Sequence, residues 1–316
     1  MIRWGINALN HGSSLAVFNY DDLVYYRVSK NDRLDNDIIY NAFHHGGPSE
    51  IYWYEKPLLK KARQAYAGQW RRVFDFDELP SNYIKTLNVN YAKVKYTPHH
   101  ASHAAAGYYT SPFNHCAVVV LDAIGEWECA SIWHGQGANL KRVWHRNYPN
   151  SLGLFYSAFA HLVGYKPILE EHLFQQDSDK GDPVRFYNEV RDYFNGIVSL
   201  KENLHKGVMN WKHPLASDQD KFDLAAAVQR VFEEQVDMVM LTAKKLTGAD
   251  NLVYMGGCAM NNKYNQRLSD QWQGIWSLPS PGDYSSAIGA VLYQTKKHIS
   301  WKQGIAKHLE IKYNKV

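Results

Sequence analysis

Two similar patterns of apolar and polar positions lie about a hundred residues apart in the chain. Residues 2–9 (IRWGINAL), 15–20 (LAVFNY) and 23–30 (LVYYRVSK) are rich in β-branched and aromatic side chains and are separated by polar turns. The same arrangement returns at 116–124 (CAVVVLDAI), 129–135 (CASIWHG) and 140–148 (LKRVWHRNY). Such segments predict two three-stranded β units, and their recurrence predicts an internal duplication.

Helical patterns are concentrated in the second half of the chain. Residues 151–164 have a serine N-cap candidate and a glycine stop, and residues 220–248 form an amphipathic pattern that ends at Gly248. Residues 251–257 (NLVYMGG) predict a buried strand and a glycine turn, with helices expected at 258–270 and 280–293. The polar stretch 169–186 has no clear periodicity and predicts a loop. This order predicts an α/β protein with two related lobes and a cleft between them.

Composition is typical of a globular protein that is large enough for two lobes. The chain has 316 residues, 45% of them hydrophobic, and a net charge of +4. No apolar run reaches membrane-spanning length, and the start lacks a signal core, so no membrane partner is expected. Three cysteines without a CxxC pair favour a reducing, cytoplasmic setting. The 22 Tyr and 10 Trp fit either aromatic-rich packing or a surface that stacks on bases.

Three histidines fall within five positions of residues 96–109 (YTPHHASHAAAGYY). His99 and His103 are four residues apart, which on a helix places both imidazoles on one face where they can hold one ion. Pro98 suits a helix start. Histidine pairs are also common as structural or surface features, so the spacing leaves metal binding open. His100 points about 100° away from His99 and is expected to have a different role.

Two aspartates and two polar turns are further candidates. Asp122 ends an apolar strand and can either complete a His/His/Asp metal set or cap a turn. Asp283 can be a fourth ligand or a helix N-cap. The Gly256–Gly257 turn permits close approach of the backbone to an anion. His11, Ser13 and Ser14 are expected in the first hairpin turn, which either donates backbone N–H groups to phosphate or is a plain polar loop.

Six segments, in order between about residue 3 and residue 293, carry a resemblance to a known family. They are INALNHGSSLAVF, PHHASHAAAGYYTSPF, VVVLDAIGEWECASIW, SLGLFYSAFAHLVGYKP, FDLAAAVQRVFEE and GGCAMNNKYNQRL. Together they resemble the O-carbamoyltransferases of the nodulation-factor and antibiotic-tailoring type. The transfer domain of that family is similar to the tRNA threonylcarbamoyltransferases, within the actin, chaperone-ATPase and sugar-kinase superfamily.

The resemblance implies two ribonuclease-H-like lobes, a duplicated actin-like fold, around a nucleotide cleft. We expect the first lobe at residues 1–113 and the second at 114–316. The resemblance also implies a divalent ion, Fe²⁺ or Zn²⁺, near the phosphates. By motif position, its ligands fall on His99, His103, Asp122 and Asp283.

The resemblance further implies residues that hold the donor and move the proton. Gly256, Gly257 and Asn261 are expected at the nucleotide or carbamoyl-adenylate, and Asp223 near the ribose. Ser13, Lys30 and Arg33 are expected to contact the donor as well. The acceptor hydroxyl attacks the carbamoyl carbon of an activated mixed anhydride, and His11 or His100 removes its proton.

The chain departs from the family in three places. Family members carry a further, synthase-like domain that makes carbamoyl-adenylate from carbamoyl phosphate and ATP, and we expect it to be absent here. It was removed, or a separate adenylate-forming protein supplies the intermediate, or the chain uses a donor directly. In 169–186, Leu173 takes a lysine position, and Asp177 and Asp179 are expected to repel an anionic ligand. The basic element around Lys30 and Arg33 is only partly kept, and Ala123 replaces a glycine.

The sequence therefore predicts an enzyme that moves a carbamoyl group from carbamoyl phosphate or carbamoyl-adenylate to a hydroxyl. The acceptor is a hydroxymethylpyrimidine in DNA, for which the aromatic side chains and mild basicity are suited, or a sugar or small natural product. The alternative is a nucleotide-binding partner that has lost catalysis. A superfamily kinase is a third interpretation, which the histidine pair disfavours.

Overall fold

Two five-stranded mixed sheets form the centre of the protein. A computed structural model describes residues 1–89 and 91–300. The elements of the first half are β1 (Ile2–Asn10), β2 (Gly12–Asn19), β3 (Asp22–Ser29), α1 (Asn36–Phe43), β4 (Glu50–Trp53), α2 (Pro57–Tyr66), α3 (Trp70–Val73), α4 (Pro80–Thr86), β5 (Lys93–Tyr96) and α5 (His99–Thr110). Then follow β6 (His115–Leu121), β7 (Glu128–Gln136), β8 (Asn139–Asn147), α6 (Leu152–Leu162), α7 (Glu171–Asp177), α8 (Tyr187–Arg191), β9 (Phe194–Gly196), β10 (Ser199–Leu200), α9 (Asp218–Thr247), β11 (Asn251–Met255), α10 (Asn262–Asn265), β12 (Gly274–Trp276) and α11 (Ser286–Thr295).

The two sheets have the same topology, which confirms the predicted duplication. Strand order is β3-β2-β1-β4-β5 in the first sheet and β8-β7-β6-β11-β12 in the second. In each, an antiparallel three-stranded unit is extended by two parallel strands. The sequence pattern predicted the antiparallel units but not β4 and β5. These two strands are short, and the strands they pair with are distant in the sequence.

Helices α5 and α11 lie together between the two sheets. All residues of α5 are buried, and α11 packs on α5 and β1 after the chain has completed the second sheet. The apolar side chains of α11, including Ile288, Val291 and Leu292, thus join the core of the first sheet. The division into residues 1–113 and 114–316 stays a prediction, and its stretch 301–316 lies outside the described residues.

Three local expectations are wrong. Ser13 and Ser14 belong to β2, because the first hairpin turns tightly at His11. The expected loop 169–186 contains the short helix α7. The expected helix 258–270 is broken into short turns around α10, since the Asn261 side chain accepts a hydrogen bond from the Tyr264 N–H and starts a new helix there.

Other expectations are confirmed. Ser151 caps α6 through the Leu154 N–H, and Gly248 ends α9 in the left-handed conformation. α9 also begins with a capping box at Ser217. Within residues 1–89 and 91–300, no helix combines the length and the apolar character needed to cross a membrane.

Gly289 sets the distance between α5 and α11. A methyl group at this position would overlap the carbonyl oxygen of Ser102 in α5. We expect Gly289→Ala to lower the free energy of unfolding by about 1–3 kcal/mol, as overpacking does. Denaturant titration measures this change. Gly196→Ala is the control, because a methyl group there lies 3.6 Å from the Ser199 Cβ, an ordinary contact. Equal losses in the two variants would contradict a tight α5–α11 contact.

Candidate functional site

Four side chains from three separate parts of the chain converge between the two sheets. His99 and His103 lie one turn apart in α5, Asp122 follows β6, and Asp283 lies in the turn before α11. One ligand atom from each side chain can be chosen so that all four lie within 4.8 Å of one another. The histidines are at most 1% exposed, and the carboxylates are partly buried. The structure therefore brings together the four residues that were expected to bind a metal, here called the four-residue cluster.

The distances within the cluster suit a small divalent ion. His99 Nε2 lies 3.0 Å from Asp122 Oδ2 and 3.4 Å from Asp283 Oδ1. His103 Nε2 lies 3.4 Å and 3.3 Å from the same two oxygens, and 3.0 Å from His99 Nε2. A tetrahedral ion with bonds of about 2.0–2.2 Å separates its ligand atoms by about 3.3–3.6 Å. Two imidazole nitrogens and two carboxylate oxygens also suit Fe²⁺ or Zn²⁺.

Local structure explains how each ligand reaches the cluster. Pro98 is the residue before the first turn of α5, so both imidazoles project from one face of a helix that begins there. The buried strand β6 delivers Asp122, whose Oδ1 accepts a hydrogen bond from the Ala123 N–H. Asn10, at the end of β1, donates its side-chain N–H to Asp283 Oδ2 at 3.1 Å. Both lobes therefore contribute to the cluster.

The histidines and carboxylates stabilise one another's charges. Burial alone would lower the pKa of His99, but the hydrogen bond to Asp122 and the charge of Asp283 raise it to about 9. Burial opposes the charge of His103 as well, and hydrogen bonds to both carboxylates raise its pKa. Burial would raise the pKa of Asp122, but its hydrogen bonds to His103 and His99 hold it well below its usual range. In the absence of a metal, His99 therefore retains its proton near neutral pH.

His100 faces a different environment from its neighbours. Its Nδ1 lies 2.7 Å from Ser131 Oγ, which accepts the indole N–H of Trp133. The Nε2 atom of His100 is buried and has no hydrogen-bond partner among the described residues. Burial and the charge of His99 hold the pKa of His100 well below its ordinary value. The ring is neutral near pH 7 and is 1% exposed.

The first hairpin places its polar residues in different surroundings. His11 is exposed at the tip, directly after the Asn10 that donates to Asp283. Ser13 is buried in β2, and its hydroxyl has no hydrogen-bond partner among the described residues. Ser14 donates its hydroxyl to the Tyr284 carbonyl, next to Asp283. The hairpin therefore contacts the cluster through Asn10, and His11 is the exposed histidine next to that contact.

The glycine turn after β11 lies against the cluster. Gly256 has a φ of +92°, and any side chain there would overlap the Leu121 carbonyl. The Gly257 N–H points to Asp122 Oδ1 at 3.4 Å. Asn261 follows, but its amide pairs reciprocally with the Gln229 amide at 3.0–3.1 Å. The glycines are thus close to the cluster, while Asn261 is held by α9.

The remaining candidates contact other parts of the protein. Asp223, in α9, accepts hydrogen bonds from Arg185 and from the Asp182 N–H, both at 2.8 Å, and so holds the loop before α8. The Arg33 guanidinium lies 5.3 Å from the centre of the Tyr83 ring. Lys30 is exposed after β3. The structure does not bring these three residues to the four-residue cluster.

Glu126 is a residue of the site that the sequence analysis missed. Its carboxylate is buried and accepts hydrogen bonds from the His99 N–H at 3.0–3.1 Å and from the Lys56 N–H at 2.6 Å. It therefore caps the N-terminus of α5 from the β6–β7 loop and also holds the start of α2. Its partners are 27 and 70 residues away, so no spacing in the sequence connects them to Glu126.

A family model described as Carbamoyltransferase N-terminus matches residues 50–292. The uncharacterized protein sll1178 of Synechocystis sp. is 33% identical over an alignment of 220 residues, and the match covers 62% of this chain and 36% of that protein. Nodulation protein NolNO of Sinorhizobium fredii is 25% identical over an alignment of 224 residues, and the match covers 66% of this chain and 32% of that protein. The chain thus spans about a third of the length of these curated relatives.

A solved structure supports the fold. Component A of the (R)-2-hydroxyglutaryl-CoA dehydratase of Acidaminococcus fermentans superposes with a TM-score of 0.52 at 13% identity. The match covers 94% of this chain and 99% of that one. The expected actin-like architecture of two α/β lobes is therefore confirmed.

Substituting Glu126 tests its role at α5. We expect Glu126→Ala to lower the free energy of unfolding by about 1–3 kcal/mol, because the buried His99 N–H and the partly buried Lys56 N–H lose their acceptor. Hydrogen exchange should also become faster at the His99 and Lys56 amides. Glu126→Gln keeps an acceptor oxygen and should lose less. Glu189→Gln, at a partly exposed carboxylate, is the control. Unchanged exchange at both amides in Glu126→Ala would contradict the capping role.

Proposed function

We propose that this chain, which belongs to the carbamoyltransferase family through its residues 50–292, transfers a carbamoyl group to an acceptor hydroxyl. The observation that carries the proposal is the convergence of His99, His103, Asp122 and Asp283 from three separate parts of the chain. A protein that only bound a nucleotide would have little need of four ligand atoms at these separations. The catalytically inactive alternative is therefore disfavoured by the same geometry.

The four-residue cluster would hold Fe²⁺ or Zn²⁺. When bound, such an ion supplies positive charge that stabilises the carbonyl oxygen and the leaving phosphate. The protein's own part is to fix the ligands before the ion arrives. Glu126 orients α5, Asn10 orients Asp283, and the Ala123 N–H orients Asp122.

The donor is carbamoyl phosphate or carbamoyl-adenylate. Its phosphate is suited by the Gly256–Gly257 turn, where the lack of side chains allows close approach beside Asp122. Asn261 and Asp223 can reach a nucleotide only by exchanging their present partners, Gln229 and Arg185. Whether the donor is made on this chain or by a separate adenylate-forming protein is an outcome of the transfer experiment below.

His11 is our choice for the base. The acceptor hydroxyl forms a bond to the carbamoyl carbon, the carbon–oxygen bond to phosphate breaks, and the hydroxyl proton passes to the imidazole. His11 is exposed next to the residue that contacts Asp283, so an acceptor can reach it. His100 is buried, and the lowered pKa of its ring makes it a weak proton acceptor. We assign His100 a positioning role between α5 and β7, through its contact with Ser131.

The acceptor is a hydroxymethylpyrimidine in DNA, a sugar or a small natural product. A base in a duplex would have to be extruded before its hydroxymethyl group reached the site. The exposed position of His11 is compatible with each of these acceptors.

Metal binding is expected to depend on all four ligands and on pH. His99→Ala and Asp122→Asn should each weaken Zn²⁺ binding at least tenfold. Because the pKa of His99 is raised to about 9, bound metal must displace its proton at pH 7. Affinity should therefore rise with pH up to about 9, by about tenfold per unit for each proton displaced. Calorimetry in buffers of different ionisation enthalpy measures both quantities. His115→Ala removes an exposed histidine and is the control. Metal binding that is unchanged by His99→Ala would refute the assigned ligands.

Carbamoyl transfer is tested with carbamoyl phosphate, ATP and each acceptor class, with and without an added adenylate-forming protein. Mass spectrometry should show a gain of one carbamoyl group on the acceptor. A gain of one phosphoryl group would instead identify a kinase. His11→Ala should reduce kcat by about 10²–10⁴-fold with little change in metal content. His45→Ala, at another exposed histidine, should have no effect. Transfer that survives loss of His99 and metal together would refute the proposed chemistry.

A further inference from the structure

The segment that contains α2 and α3 has an uneven charge. Residues 56–74 carry six Lys or Arg and no Asp or Glu, although the whole chain carries only +4, so the other residues sum to −2. Three of these bases are used internally. Lys60 pairs with Glu55 at 2.8 Å, Lys61 donates to the Asp75 carbonyl at 2.8 Å, and Arg63 is buried. The remaining charge is available to a partner on the surface.

Three basic residues of this segment are exposed to solvent. They are Lys56, Arg71 and Arg72. The acidic residues of the chain resume only at Asp75. The surface between Lys56 and Arg72 therefore presents positive charge to which a chain of phosphates is complementary.

Large aromatic rings are exposed beside these charges. Tyr66, Trp70 and Phe74 are 68%, 59% and 66% exposed. Trp70 and Phe74 lie one turn apart with their rings stacked at 22° and 6.5 Å between centres. Such rings offer flat faces to unpaired bases. Arginine and aromatic residues are also enriched in protein interfaces, so the rings alone do not identify the partner. The absence of Asp and Glu from residues 56–74 does, because an excess of basic side chains beside flat rings is complementary to a strand of phosphates and bases.

The segment lies next to the four-residue cluster. At its start, the Lys56 N–H shares the Glu126 carboxylate with the His99 N–H. At the end of α2, the Tyr66 ring lies 5.4 Å from Trp127, which directly follows Glu126. A strand bound along α2 and α3 would therefore pass close to the proposed reaction centre.

We propose that this α2–α3 surface, made of Lys56, Tyr66, Trp70, Arg71, Arg72 and Phe74, binds single-stranded nucleic acid. The phosphates contact the basic side chains, and unpaired bases stack on Trp70 and Phe74. The inference rests on the proposed function only where it makes the bound strand the acceptor. Binding itself requires neither donor nor metal.

Fluorescence anisotropy with labelled single-stranded DNA and RNA of mixed sequence tests the surface, using the full chain without donor. Affinity should fall with salt with a log–log slope of about −0.7 for each phosphate neutralised. Trp70→Ala and Phe74→Ala should each weaken binding about tenfold. Arg71→Gln with Arg72→Gln should weaken binding and reduce the slope by about 1.4. Tighter binding of DNA or of RNA identifies which nucleic acid the surface prefers.

Matched substitutions elsewhere serve as controls. Tyr40→Ala removes a ring that is 68% exposed on α1, and Lys85→Gln with Lys245→Gln removes two exposed charges. Both should retain binding. Thermal unfolding checks that each variant folds. The arginine variant leaves the aromatic packing intact and so stands if Trp70→Ala does not fold.

Several outcomes would overturn the inference. The first is an absence of oligonucleotide binding at low salt, and the second is an equal weakening of binding by the control variants. The third is binding to phosphatidylserine vesicles but not to oligonucleotides, with vesicle binding weakened in Trp70→Ala. The last result would assign the surface to a membrane. Transfer to a free sugar without oligonucleotide binding would remove the surface and keep the proposed function. Oligonucleotide binding without any carbamoyl transfer would keep the surface and remove the proposed function.

Discussion

The burial of α5 is the constraint on which the rest of the site depends. All of its residues are inside the protein, and its small residues allow α11 to approach its backbone. His99 and His103 therefore have no water to stabilise a proton or an ion, and buried polar groups of this kind must be compensated by other protein groups. Compensation comes from residues that follow α5 in the chain: Asp122 and Asp283 face the imidazoles, and Glu126 accepts from the helix start. The helix that packs the lobes together is thus also the one that organises their charges.

Sheet topology explains why the carboxylate and the glycine turn meet. β6 and β11 are parallel neighbours, with Val120 opposite Met255, so their carboxyl ends lie side by side. The residues that follow, Asp122 and Gly256, are consequently adjacent without any need for a long loop. Ligands of open α/β sheets bind at such ends. The duplicated first sheet has the same order, but the turn after β4 leads into α2 and to Glu126. The two copies of one fold therefore contribute different groups to the same cleft.

Much of this arrangement could be predicted from local patterns. The four-residue spacing of the histidines, the aspartate after an apolar strand and the recurrence of the β unit are short-range signals, and the resemblance then joined them into one ligand set. The role of Glu126 could not be predicted in this way, because its partners are set by packing between lobes. The break at Asn261 was missed because its side chain competes with the helix backbone, which hydrophobic periodicity does not register. Asp223 matched a motif of the family, yet its carboxylate accepts a hydrogen bond from Arg185.

The end of α7 and the loop that follows it show how a local charge pattern can mislead. Asp177 and Asp179 were expected to repel an anion, but Asp177 pairs with Lys180 at 2.7 Å and Asp179 with Lys263 at 2.5 Å. Each acid is thereby compensated, and each base is occupied too. These exposed pairs contribute little stability, but they remove two lysines from any contact with phosphate. If a donor phosphate binds in the cleft, its partners must therefore be groups that remain available. The backbone at Gly256 and Gly257, beside the four-residue cluster, meets that requirement without rearranging the loop.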